Sequence, residues 1–227
     1  MKHLKALSRQ ALASALLLLL TLSLVVSPAR AGDRLLASSG VSQVEGAAGG
    51  GLSPWALIAG GGSRDQIGAS VFGTHIRTRG GYVLESFGAA VGFYDTVELS
   101  VARQRFGLAD TVPGENLGLD VFGAKWRVFG DAVFEADPWL PQVSLGLQYK
   151  HNRDMAVPSL LGARKRSDTE PYIAATKLWL GAAGGANLLT NVTLRGTRAN
   201  QFGLLGFGGP KGDRMKIRPE VSIAILP

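Results

Sequence analysis

The 227-residue sequence predicts an all-β fold, an antiparallel transmembrane β-barrel. Three observations predict it. The stretch from Pro141 to Asp154 sets Val143, Leu145, Leu147 and Tyr149 against Ser144, Gly146, Gln148 and Lys150. A period of two with one greasy and one polar side is a strand that meets a different solvent on each face. Other segments alternate in the same way, Val97 to Gln104 most clearly. The chain also opens on an export signal, after which no apolar run is long enough for a membrane helix. A mature chain that meets lipid must then do so with strands, and a closed barrel pairs every backbone group there.

Lys2, Lys5 and Arg9 precede an apolar run from Ala11 to Val26. Pro28-Ala29-Arg30-Ala31 then supplies the small residues of an A-x-A cleavage site. This layout predicts a secretory signal peptide over residues 1–31, followed by a single barrel domain over residues 32–227. The competing reading, an uncleaved anchor helix, is weakened because a span needs about 20 apolar residues. The signal carries four basic residues and no acid, so its removal lowers the formal charge from +7 to +3. The basic balance is thus partly an export feature and gives no argument for nucleic acid. Arg164-Lys165-Arg166, the one basic triplet, reads as a solvated loop. The absence of cysteine excludes a disulfide framework and thiolate chemistry.

The elements follow in order. Gly32 to Val44 is a polar leader. Gly46 to Gly62 holds seven glycines around Trp55-Ala56-Leu57-Ile58, and a first strand is expected over Gly50 to Gly60. Pro54 belongs at a strand start, an edge or a bulge, because it lacks an amide donor. Strands two to five are expected over Ile67–Thr78, Tyr82–Gly92, Val97–Gln104 and Leu119–Phe129. Arg79-Gly80-Gly81 and Phe93 to Thr96 make turns, and Leu108 to Asn116 makes a loop. Gly130 to Pro141 is a connection with room for a short strand over Ala132–Phe134. The opening stretch is the sixth strand. Asn152 to Thr169 is the longest polar connection. Tyr172–Leu180 and Leu188–Thr197 are the seventh and eighth strands, and Val221–Leu226 starts a ninth. Tyr82, Phe93, Tyr94, Phe106, Phe129, Trp139, Tyr149 and Tyr172 fall near strand ends, where an interfacial aromatic girdle would lie.

The runs HNRDMAVPSLLGARKRSDTEPYIAATKLWL and NLLTNVTLRGTRANQFGLLGFGG closely resemble a bacterial family known as domain of unknown function 3034. GVSQVEGAAGGGLSPWALIAG and VELSVARQRF resemble it too, so the likeness covers the chain from about Leu35 to Ser222. It implies an exported, outer-membrane-type β protein and no particular chemistry. It also implies about 8 to 12 strands in a complete member, with further strands past the point matching Glu220-Val221-Ser222. By that measure this chain is expected to be shortened at its C-terminus.

Candidate chemistry is sparse. His75 and His151 are the histidines beyond the signal, and two distant histidines without cysteine do not make a transition-metal site. His151, Arg153 and Asp154 form a polar cluster at the end of the sixth strand. They could serve as base, anion clamp and orienter, or simply as a strand running into a polar loop. Ser144 and His151 are an odd number of residues apart, so alternation puts them on opposite faces and weakens a Ser–His hydrolase. Gly203 to Gly212 lacks the G-x-x-x-x-G-K-[ST] pattern of a phosphate loop. Alternation points Glu98, Lys125, Arg127, Lys150, Lys177 and Arg195 into the lumen. A lumen richer in cations than anions favours anionic solutes, unless these groups pair with loop acids and fill a narrow interior. A barrel of about 8 strands is just wide enough for side chains to fill, whereas aqueous porins use about 16.

The sequence therefore predicts an outer-membrane protein reached by Sec-type export, acting as a narrow channel or passive transport protein. Two alternatives stay open: a structural or binding barrel with a filled interior, and a lipid-modifying enzyme. No catalytic residue, metal or cofactor is expected. The expected partners are outer-membrane lipid, the outer-membrane assembly machinery and a small anionic solute, with no nucleic acid.

Overall fold

The computed structural model describes residues 42–133, 139–209 and 213–226. The expected signal peptide lies outside them, as does most of the polar leader. A short ladder of β1 (Gly49–Gly50) and β2 (Ser53–Pro54) comes first. Eight strands follow: β3 (Ile67–Arg77), β4 (Val83–Phe93), β5 (Val97–Gly107), β6 (Asn116–Phe129), β7 (Gln142–Asn152), β8 (Ser167–Ala183), β9 (Ala186–Thr197) and β10 (Lys216–Leu226). Each pairs antiparallel with its neighbour in sequence, giving one sheet with β3 and β10 at its edges. The sheet curls into a half-barrel, so the all-β, barrel-like fold is the one the chain adopts.

The expected first strand is not part of this sheet. Residues 42–62 instead pass along the concave side, and Trp55, Ala56, Leu57, Ile58 and Ala59 are all buried. A continuous apolar block between glycines marks burial on every side, which a strand and a packed irregular segment share. The count of nine strands therefore becomes eight in the sheet. At the other end β10 starts at Lys216, five residues earlier than expected, because charged Lys216 and Arg218 and the donor-less Pro219 hide its alternation. Pro219 is tolerated because β10 is an edge strand. β8 likewise begins at Ser167, inside the stretch expected to be loop. Ala132 and Val133 form a turn rather than a strand, and Phe134 lies outside the described residues.

The connections differ at the two ends. β4 and β5 join through Tyr94 and Asp95, both at positive φ (53° and 50°), the twist-matched hairpin geometry. β8 and β9 join through Gly184 and Gly185 (φ 66° and 98°), where glycine removes the steric cost. At the opposite end the connections grow longer along the chain and include residues 108–115, 153–166 and 198–215. The second of these carries one helix, α1 (Ala156–Leu160), which the sequence did not announce. Phe207 bridges both Lys165 and Ala199, so the last two connections fold together.

The two faces are inverted relative to a water-soluble sheet. On β5, Glu98, Ser100, Ala102 and Gln104 are buried while Val97, Leu99 and Val101 are exposed. On β7, Gln142, Ser144, Gln148, Lys150 and Asn152 are buried while Leu145, Leu147 and Tyr149 are exposed. The outer band continues through Val71 (84 % exposed), Phe122, Trp126, Val192 and Val221 to Ile225. Tyr82 stacks on Phe106, Phe122 leans on its cross-strand partner Tyr149, and Trp139 meets Trp179 edge-on. Tyr172, expected among these outer aromatics, instead faces inward and is buried, because it lies across its partner Gly146.

A methyl group at residue 146 would occupy the space of the Tyr172 ring. Gly146→Ala is expected to lower stability by about 1–3 kcal/mol through overpacking. Adding Tyr172→Ala should recover part of that loss, as read from urea midpoints in detergent micelles. Equal midpoints for wild type and Gly146→Ala would refute the close packing.

Candidate functional site

The polar interior is built from alternate residues of β5 to β9 closing on residues 42–62. Glu98 of β5 accepts from the amides of Ala48 (3.1 Å) and Ala59 (2.8 Å), one on each oxygen. Lys125 is its partner across the β5–β6 ladder. The ammonium donates to Glu98 (3.0 Å) and to the carbonyls of Ala48 (3.2 Å) and Leu57 (2.9 Å). All three ammonium donors and both carboxylate oxygens are thus engaged, as two charges this deeply buried require.

Neutral side chains grip the same segment. Gln142 and Ser144 both donate to the Ala56 carbonyl (2.7 and 2.6 Å), and the Ala56 amide donates to Thr176 (2.7 Å). Thr193 donates to the Pro54 carbonyl (2.7 Å). Ser86 and Gln104 donate to the Val44 carbonyl (2.6 and 2.9 Å).

A second charged group lies towards the long connections. Glu45 pairs with Lys150 and with Arg195 (2.7 Å). Glu170 pairs with Lys150 (2.7 Å) and Arg195 (3.3 Å), and Glu220 with Arg195 (2.8 Å). Gln148 accepts from Arg195 (2.6 Å). The connection after β9 closes over this group: Asn152 donates to the carbonyls of Gly203 (2.9 Å) and Leu204 (2.6 Å), and Lys150 to that of Phe202 (3.3 Å).

Of the six residues expected to face inward, Glu98, Lys125, Lys150 and Arg195 form these two groups. Arg127 lies on the same face at the other end, held by Asp95, by Asp131 (3.0 Å) and by the Gly130 carbonyl (2.9 Å). Lys177 is the correction. It pairs across the ladder with Thr190, on the face of Trp179 and opposite to Thr176 and Leu178. It is buried there because its ammonium donates to the Leu140 carbonyl (3.1 Å) of the connection that folds over it. Within the two buried groups the expected excess of cations is absent. Glu45, Glu98, Glu170 and Glu220 face Lys125, Lys150 and Arg195. Of the missed acids, Glu45 lay between the leader and the glycine-rich stretch, Glu170 between the long polar connection and the seventh strand, and Glu220 just ahead of the ninth. Extending the alternation of Tyr172 and Ala174 back by one step would have found Glu170.

The rim residues do not converge. The His151 ring bonds Ser167 (2.7 Å), Asp154 accepts the Gly118 amide (2.8 Å), and Arg153 is exposed. Ser144 is buried on the inner face and His151 lies on the outer one, so the two are not a dyad. Among the described residues no group of three or more His, Asp or Glu side chains is placed to hold a metal. None of the described helices is long and apolar enough to cross a membrane, which leaves the strands unaffected.

A curled antiparallel sheet, apolar outside and charged inside, that holds a segment of its own chain is an all-β barrel-like protein with an occupied interior. The sequence profile of a family described as "Protein of unknown function (DUF3034)" matches residues 38–227, and the chain belongs to that family. No curated protein and no solved structure matches it.

Glu45 is the acid that the N-terminal segment brings to the interior. Burial alone would raise its carboxyl, but the Lys150 and Arg195 charges and hydrogen bonds override burial and hold it below its ordinary value. A carboxyl lowered by folding adds stability above its unfolded value, and that stability is lost as pH falls through the folded value. Glu45→Gln is expected to cost about 3–5 kcal/mol at neutral pH, since it leaves two buried cations short of an anion. The variant and wild type should converge only as pH falls below the ordinary range of a glutamate carboxyl. Urea midpoints across pH check this, and a pH-independent difference would contradict it.

Proposed function

We propose that this chain is an exported outer-membrane β protein whose interior is filled by its own N-terminal segment. It serves as a structural or binding barrel rather than an open pore, and has no catalytic role. The observation that carries this reading is the grip of Glu98 and Lys125 on the backbone of Ala48, Leu57 and Ala59. Where water and solute would run in a conducting barrel, residues 42–62 meet the inward polar groups.

Membrane residence is supported by the outer band. Along β10, Ile217, Val221, Ile223 and Ile225 are each about two-thirds exposed. From first to last they cover about 26 Å of strand at 3.3 Å per residue, against an apolar band of about 25 Å in outer-membrane barrels. So large an exposed apolar surface needs a cover. The tight turns at Tyr94-Asp95 and Gly184-Gly185 lie at one end, beside the 130–141 connection, and the longer 153–166 and 198–215 connections lie at the other, an asymmetry of the kind such barrels show. Lipid is the first partner on this reading, and the outer-membrane assembly machinery is the second.

Two measurements test the proposal. The full chain, expressed with its export signal, should fractionate with outer membranes and migrate faster on gels when unheated. Recovery in the osmotic-shock fluid, dissolved without detergent, would end the membrane reading. In planar bilayers the refolded protein should give no conductance steps. Sustained steps from the intact chain would overturn the filled interior and restore the channel.

A further inference from the structure

At the end of the long connections, the mouth of the interior holds a groove of about 490 Å³, a volume that suits a small molecule. Arg198, Arg214, Lys216 and Arg218 line it, and no acid does. The β9–β10 register fixes its side of the sheet. Lys216 lies opposite Thr197 and Arg218 opposite Arg195, and both partners are buried on the inner face. The groove therefore opens on the concave side, away from the apolar band of Ile217, Val221 and Ile223. An occupant reaches it from water.

The four cations are not equivalent. Arg198 is committed: it donates to Asp168 (3.0 Å) and to the Asp213 carbonyl (3.0 Å). Arg214, Lys216 and Arg218 are exposed, and none has a side-chain partner among the described residues. Arg218 also sits directly opposite Arg195 in the ladder, a like-charge pairing that is unfavourable without an anion nearby. The buried group beneath supplies only part of that anion. Glu45, Glu170 and Glu220 are set there against Lys150 and Arg195, three acids to two cations, an excess of one negative charge. Three free cations set against that one leave two positive charges in the groove without a counter-charge.

We infer that this groove binds a small water-soluble phosphate monoester, with the guanidinium groups of Arg214 and Arg218 and the Lys216 ammonium on the phosphate. Such an ester carries about −1.5 to −2 charge at neutral pH, which matches the uncompensated pair. Guanidinium forks meet phosphate oxygens two at a time, and the ammonium adds a point charge. Leu161 and Phe202 also line the groove and leave an apolar side for the organic group of the ester. This assignment rests on the binding-barrel reading above and gives it a ligand class. Residues 42–62 fill the interior, and the ligand is held at its mouth.

The test uses the full chain refolded in a neutral maltoside detergent, with binding read by titration calorimetry at neutral pH. Phenyl phosphate is expected to bind at least about tenfold more tightly than methyl phenyl phosphate, its singly charged diester. The R214Q/K216Q/R218Q variant should lose that preference while keeping the unheated gel migration of the folded protein. If the triple variant does not fold, R214Q, which lies ahead of the strand, should show a smaller loss in the same direction. Equal binding of the two esters, or an unchanged preference in the variants, would overturn the inference. Dihexanoyl phosphatidate binding more than about tenfold tighter than phenyl phosphate would also overturn it, by making the ligand a lipid. Conductance is scored separately. A chain that is silent in planar bilayers and shows no preference refutes the groove alone. One that prefers phenyl phosphate yet conducts refutes the filled interior alone.

Discussion

A carboxylate and an ammonium buried 3.0 Å apart cannot be left with free hydrogen-bonding capacity. Glu98 and Lys125 satisfy only one contact between themselves. The others come from the backbone of residues 42–62, which has little ladder of its own beyond the four residues of β1 and β2. The dependence runs both ways. Without the segment, the pair is an incomplete ion pair in the interior. Without the pair, the amides of Ala48 and Ala59 and the carbonyl of Leu57 have no partner there. The same reciprocity is repeated at Glu45 with Lys150 and Arg195, so the segment is anchored at both ends by charge.

An interior of this kind cannot be the main source of hydrophobic stabilisation. Its two larger apolar clusters among the described residues are still small and sit towards the ends. Trp55, Leu57, Leu178 and Leu189 pack together in one of these, and Leu119, Val121 and Phe207 in the second. Most large apolar side chains of the strands point the other way. Burial at roughly 25 cal/mol per Å² must then come from whatever covers the outside, which on the proposed membrane reading is lipid along every strand at once. The polar interior and the apolar exterior are thus one arrangement with two consequences.

Much of this was legible in the sequence, because a period of two survives any curl of the sheet. Val97 to Gln104 and Val143 to Lys150 fixed their own faces, and Glu98, Lys125, Lys150 and Arg195 followed. The failures have separate causes. The Trp55 block reads as a strand because local hydrophobicity cannot tell a strand from a segment packed on all sides. Lys177 was assigned inward by alternation, but it keeps step with Ile173 and Ala175 rather than with Tyr172 and Ala174, and the 130–141 connection folds over it on the outer face. Glu45 and Glu170 were passed over because each fell in the gap between two assigned stretches. Tyr172 was taken for an interfacial aromatic, and only the register with Gly146 shows that there is room for it inside.

The small inward residues explain why the interior holds a length of chain at all. A barrel of about 8 strands is normally filled by its own side chains. Here the inner face carries Ser86, Ala90 and Gly92 on β4, Ser100 and Ala102 on β5, and Gly123 on β6. Ser144 and Gly146 of β7 and Ala174 and Thr176 of β8 continue the pattern. Those side chains are too short to meet in the middle. The vacated width suits one irregular segment, and close approach is visible where Gly92 faces the Ala59 backbone. The glycines around Trp55 are the other half of the same fit, since they narrow the segment where the strands approach. Small residues on the sheet and glycines on the segment are therefore complementary, and enlarging either one displaces the other.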